Sequence, residues 1–239
     1  QGDWGSGKTS LMNLIRPAED DPKQSAVLIN TWKYAQLGES ETLFLAVLSG
    51  VVEGISGKIA EDKATPIKDK ALKLLGVGLR MAARVSVQAV GGDPSQVADS
   101  VENTPGHKLA DELKKALEAL VAAATAPPKE RDILFVDDLD RIPPVRAVQI
   151  LEALKNFLDV PNLVTVLACD YAVISKGLAS RVGVSEEDLG RSFFDKIIQV
   201  PFRMPTHAYR ADQYVSNLLE RVGVPVSPAE LSLVTDDLR

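Results

Sequence analysis

Apolar residues along the chain fall into two kinds of run. Short continuous ones stand at 26–30 (Ala-Val-Leu-Ile-Asn), 133–136 (Ile-Leu-Phe-Val), 163–169 (Leu-Val-Thr-Val-Leu-Ala-Cys) and 197–200 (Ile-Ile-Gln-Val). Runs this short, without polar alternation, predict strands buried on both faces. Between them the apolar positions recur at helical spacing. Leu43, Phe44, Val47, Leu48, Val51 and Ile55 mark a helix within 39–59, and 107–124 reads as another, rich in Lys, Glu, Leu and Ala. Val145 to Phe157 carries a stripe of Ile150, Leu151, Leu154 and Phe157, and 206–222 one of Tyr209, Tyr214, Leu218 and Leu219. Gly91-Gly92-Asp93-Pro94 and Pro127-Pro128 punctuate the middle of the chain. Strands alternating with helices predict an α/β fold with a mainly parallel central sheet. Its core would be 1–34 and 130–215, with 35–129 a mostly helical insertion and 216–239 the start of a C-terminal helical or linker region.

The chemistry is announced at the first residues. Gly2-Asp3-Trp4-Gly5-Ser6-Gly7-Lys8-Thr9 is a complete GxxxxGK[ST] phosphate-binding loop, and Ser10 continues it into a helix. Gly2, Gly5 and Gly7 permit a tight turn and close approach of the backbone to an anion. Lys8 is placed to reach the β- and γ-phosphates, and the Thr9 hydroxyl to ligate Mg²⁺. In the helix that follows, Leu11, Leu14 and Ile15 are expected to face inward. A loop of this type ordinarily follows a buried strand, so the first core strand is expected upstream of Gly2.

The run at 133–136 leads into Asp137-Asp138-Leu139-Asp140-Arg141. Asp137, at the C-terminal end of a buried strand, is the expected carboxylate for the Mg²⁺ shell. Asp138 is the leading candidate for polarising an attacking water and Asp140 the second. Arg141 is expected to pair with one of these carboxylates or to touch a neighbouring subunit. Asp170, at the end of the 163–169 run, either senses the γ-phosphate or caps the helix starting at Tyr171. Trp32 is expected over the core edge.

Charge and composition narrow the partners. Lys plus Arg number 27 against 33 Asp plus Glu, a net charge of −6 that argues against a general nucleic-acid coat. Cys169, the single cysteine, allows no internal disulfide and reads as a small buried hydrophobe. His107 and His207 lie in no ligand-spaced cluster. Residues 67–90 carry Lys68, Lys70, Lys73, Arg80 and Arg84 and lack an uncharged stretch of membrane length. They read as a helix packed on the domain or on a partner. Peripheral contact with an anionic membrane or with nucleic acid is the alternative.

Taken together, the phosphate loop with its tryptophan, Asn30-Thr31-Trp32, the 137–141 run and Phe193-Phe-Asp-Lys-Ile-Ile-Gln-Val-Pro-Phe-Arg-Met-Pro205 resemble the KAP family of P-loop NTPases. The resemblance implies a three-layer sandwich with strand order 5-1-4-3-2, which sets the Asp170 strand between the phosphate-loop strand and the Asp137 strand. It implies ATP and Mg²⁺ as cofactors, and water attack on the γ-phosphate driving conformational switching or assembly of a homo-oligomer, with an effector protein as a further partner. It also implies an arginine supplied across a subunit interface, for which Arg191 is the leading candidate and Arg181 and Arg141 are alternatives. Many family members carry transmembrane helices between the two motifs, which this sequence lacks, so a cytoplasmic setting is expected. Some bacterial relatives act in anti-phage or exclusion systems. Rival readings are a nucleotide-gated scaffold with little hydrolysis and a nucleic-acid-stimulated remodelling ATPase.

Overall fold

The computed structural model describes residues 1–36, 42–89, 106–182, 193–205 and 211–223. It divides into a unit over Gln1–Phe202 and a second over Arg203–Arg239. Among the described residues three strands form the sheet of the first unit, β1 (Gln24–Asn30), β2 (Arg131–Asp137) and β3 (Leu163–Leu167), all parallel and in the order β1-β2-β3. The Asp137 strand therefore lies in the centre, with β3 beside it, as the implied order requires of these three. Gly2 N–H donates to the carbonyl of Cys169 at 3.3 Å, so the phosphate loop starts from just beyond the end of β3.

Parallel neighbours need long crossovers, and here helices supply them. Between β1 and β2 run α1's successors α2 (Thr31–Ala35), α3 (Leu43–Ser56), α4 (Glu61–Ala89) and α5 (Gly106–Ala124), while α1 itself (Lys8–Ile15) precedes β1. A 3₁₀ turn (Leu139–Arg141) and α6 (Pro144–Leu158) join β2 to β3, and α7 (Tyr171–Val182) follows. The second unit contributes α8 (Ala211–Arg221) among its described residues.

Alternation along the strands divides the sheet's contacts between two cores. Val27, Ile29, Leu134 and Val136 point into the larger one, with side chains from α3, α5, α6 and α7. Val47, Leu48, Val51, Val52 and Ile55 of α3 are almost fully withdrawn from water. Each such side chain contributes about 1.5–3 kcal/mol. Phe135 points the other way, against Met12 of α1 and Ala168. Ala71 and Leu75 of α4 also join the larger core, and Lys70 pairs with Glu112 across α4 and α5 at 2.9 Å. The first part of the 67–90 segment is thus packed on the domain through Ile67, Ala71, Leu72, Leu74 and Leu75. No helix among the described residues is long and apolar enough to cross a membrane.

Several expectations shift. Residues 197–200 form no strand: 193–197 are helical, Ile198 N–H bonds the Phe194 carbonyl at 2.7 Å, and Val200 is 83% exposed. A strand exists only as part of a ladder, and among the described residues the sheet is β1-β2-β3, with no rung to this segment. On α1, Met12 is the buried residue, while Leu14 and Ile15 are 81% and 53% exposed. The phosphate loop fixes the helix phase by turning Thr9 toward β2, and the residue one turn later meets Phe135. Trp32, expected over the core edge, is 41% exposed and has the Arg141 guanidinium over its ring.

The contact of α6 with α7 leaves no room at Gly177, where an added Cβ would strike the Pro144 carbonyl and stand 3.0 Å from Val145 N. The obstacle is backbone, which cannot rotate away. Gly177→Ala is expected to destabilise by about 2 kcal/mol, because overpacking of about 3 kcal/mol outweighs about 1 kcal/mol of helix propensity. A lower urea midpoint at unchanged m-value would register it.

Candidate phosphate and metal-ion site

In a parallel sheet, ligands collect outside the C-terminal ends of the strands. Here those ends are Asn30 and Asp137, which are register partners, and the Ala168–Asp170 segment after β3. The phosphate loop closes over the same edge. Gly5 and Gly7 have φ of 81° and 87°, in the left-handed region where a side chain is strained. At Gly5 a Cβ would meet nothing within 4 Å, so the need there is conformational and not one of space. Gly7 is the N-cap of α1, and its carbonyl accepts from Leu11 N–H at 2.9 Å. Trp4, 81% exposed, lines the mouth of the pocket together with Gly5, Gly7, Lys8, Thr9 and Ser10.

Two motifs far apart in the chain meet at one hydrogen bond. Thr9 Oγ1 donates to Asp137 Oδ2 at 2.7 Å, across 128 positions of sequence. The other Asp137 oxygen accepts from Asp138 N–H at 2.8 Å, and Thr31 Oγ1 donates to the Asp137 carbonyl at 2.9 Å. The carboxylate is therefore held in place, with 5% of the residue exposed. Lys8 uses all three of its ammonium donors: on the Gly2 carbonyl at 2.7 Å, the Asp3 carbonyl at 3.1 Å and Asp140 Oδ2 at 2.9 Å.

Asp138 sits at φ 61°, a conformation that aspartate tolerates better than most side chains. Its Oδ2 accepts from Asn30 Nδ2 at 2.6 Å and its Oδ1 faces Arg141 Nε at 2.6 Å. Asp138, Asp140 and Arg141 all line the pocket. One short turn thus presents a carboxylate to Lys8 and a guanidinium to Asp138.

Of the other sequence candidates, Gly2 and Asp3 contribute carbonyls to Lys8, and Ser6 is buried in the loop. Asp170 caps α7, its Oδ1 accepting from Ala172 N–H at 2.8 Å, and is not among the residues lining the pocket. Arg191 lies outside the described residues. Cys169 is buried behind the loop, and loss of hydration pushes its thiol up to about 11, as expected of a packing residue. Sequence reasoning gave no role to Asn30 or Thr31. Their signal was a pair of polar residues ending a buried run that proves to pair, in register, with the Asp137 strand.

The donors suit a hard cation. A carboxylate and a hydroxyl 2.7 Å apart offer oxygen only. No group of three or more His, Cys, Asp or Glu capable of holding a metal occurs among the described residues. Mg²⁺ characteristically takes one or two protein oxygens and completes its shell from water and phosphate.

The chain is similar to the Phage T7 exclusion protein of Escherichia coli (strain K12), with 24% identity over 221 residues. That alignment covers 86% of the chain and 29% of the relative, so the chain spans less than a third of that protein's length. No solved structure matches it significantly. The KAP family P-loop domain matches residues 1–227, nearly the whole chain, and the chain belongs to that family.

Proposed function

We propose that this domain binds ATP with Mg²⁺ and hydrolyses it, using the cycle to switch conformation or to assemble with copies of itself or an effector. The observation that carries this reading is the Thr9–Asp137 hydrogen bond, which joins the phosphate loop to the acidic strand end. When bound, Mg²⁺ would supply positive charge to offset that of the phosphates. Thr9 and Asp137 are the residues to hold it. Lys8 and the loop amides bind the β- and γ-phosphates and stabilise charge on the transferring group. Asp138, lining the same pocket, orients the attacking water and accepts its proton. Arg191 is the candidate to complete the site from a neighbouring subunit. Likeness to a phage exclusion protein supports a role in excluding phage.

Phosphate release tests the reading. Turnover with ATP and Mg²⁺ should vanish in EDTA and fall at least about a hundredfold in Asp137→Ala. ATP bound tightly without turnover, across a range of protein concentrations, would replace this reading with a nucleotide-gated scaffold.

A further inference from the structure

The surroundings of Asp138 close into a ring. Asn30 grips one carboxylate oxygen at 2.6 Å and Arg141 the other at 2.6 Å. Arg141 lies over the Trp32 ring, 5.8 Å from its centroid. Trp32 belongs to α2, which Asn30 itself caps by accepting from Lys33 N–H at 3.2 Å. Thr31, between them, is tied to the Asp137 carbonyl at 2.9 Å. The ring therefore runs from Asn30 through Asp138 and Arg141 to Trp32 and back along two peptide units. Register pairing of Asn30 with Asp137 anchors it to the sheet.

We propose that Asn30 and Arg141 are positioning residues for Asp138, and that Trp32 steadies Arg141 in that task. The proposal rests on the reading of Asp138 as the group that orients water. A carboxylate rotates broadly about its terminal bond. In-line attack on phosphorus needs one oxygen lone pair aimed in one direction. Donors on both oxygens fix the carboxylate plane. Each oxygen still keeps a second lone pair, so water can be held without breaking either contact. The ring spans β1, α2 and the turn after β2, so movement of α2 relative to the turn would misalign the carboxylate. Asn30 is not among the pocket-lining residues, which makes it the cleaner probe: its loss should affect turnover and leave nucleotide binding alone.

The test compares phosphate release with the affinity for a non-hydrolysable ATP analogue. Asn30→Asp keeps the acceptor for Lys33 N–H and removes the donor to Asp138. It is expected to lower kcat about ten- to a hundredfold, with KM and analogue affinity unchanged to within about twofold. Arg141→Lys should recover part of the kcat lost in Arg141→Met. In an Asp138→Asn background, Asn30→Asp should cost nothing further, since both act through one group. Unchanged kcat in Asn30→Asp and Arg141→Met, beside an inactive Asp138→Asn, would overturn the proposal and leave Asp138 in its role. So would independent losses that multiply in the double variant, or an affinity loss in Asn30→Asp that parallels kcat. Full turnover in Asp138→Asn would instead overturn the reading of Asp138 itself. Should Asn30→Asp fail to fold, the half-exposed Arg141 decides, through the Arg141→Lys and Arg141→Met pair.

Discussion

Replacing Lys8 by alanine is expected to abolish nucleotide binding and to lower phosphate release by about a thousandfold. Two effects act in the same direction. The first is loss of the ammonium that meets the β- and γ-phosphates. The second concerns Asp140, whose side chain is only 9% exposed and whose charge is balanced by Lys8 at 2.9 Å. Without Lys8 that carboxylate stays in the pocket with no cation from the loop, and it repels an incoming triphosphate. Calorimetric titration with ATP and Mg²⁺ would register the loss directly. Lys8→Ala/Asp140→Asn should bind more tightly than Lys8→Ala alone if the second effect operates. Binding equal to that of the unaltered protein in Lys8→Ala would remove the loop from the nucleotide site.

The second large effect is expected at Asp138. Asp138→Asn should reduce turnover by about 10²- to 10⁴-fold while ATP still binds with a dissociation constant changed by no more than about threefold. Asparagine tolerates the left-handed backbone found at this position, so the turn should survive the substitution. The amide cannot accept a proton from water. Asp140 provides the comparison, since it sits on Lys8 and not beside Asn30. Asp140→Asn is expected to shift affinity, and Asp138→Asn the chemical step. Single-turnover measurements at saturating nucleotide separate the two. Normal single-turnover rates in Asp138→Asn would move the water-orienting role elsewhere.

What the sequence disclosed, and what it hid, follows from the physical range of each signal. The phosphate loop is contiguous, and its glycines, Lys8 and Thr9 carry their meaning locally. The same holds for the 133–136 run, whose unbroken apolar character matches the central place of β2. The 197–200 run has strand composition without a strand, because composition alone cannot supply a pairing partner, and none of the described strands pairs with it. The face of α1 was misread because an eight-residue helix samples too few turns to fix its own phase, which the Thr9–Asp137 bond imposes. Asn30 was invisible as a site residue for a related reason. Its role depends on register with Asp137, and register is a property of two strands. Asp170 carried both a ligand-facing and a capping reading, and the hydrogen bond to Ala172 is a capping contact.

The pairing of β1 with β2 has a further consequence, for folding and for descent. Ser25 and Asp132 share a hydrogen bond at 2.8 Å although 107 positions separate them. Adjacent strands so distant along the chain give a high contact order, and the sheet should therefore form late, after helices such as α5 and α6. Loop-closure entropy grows only logarithmically, so doubling the intervening stretch would cost about 0.6 kcal/mol. That is less than the contribution of one buried methylene, about 0.8 kcal/mol. Segments can therefore be gained or lost between β1 and β2 with little thermodynamic penalty at the strand ends. Drift in that stretch is constrained by what it touches and hardly at all by its length.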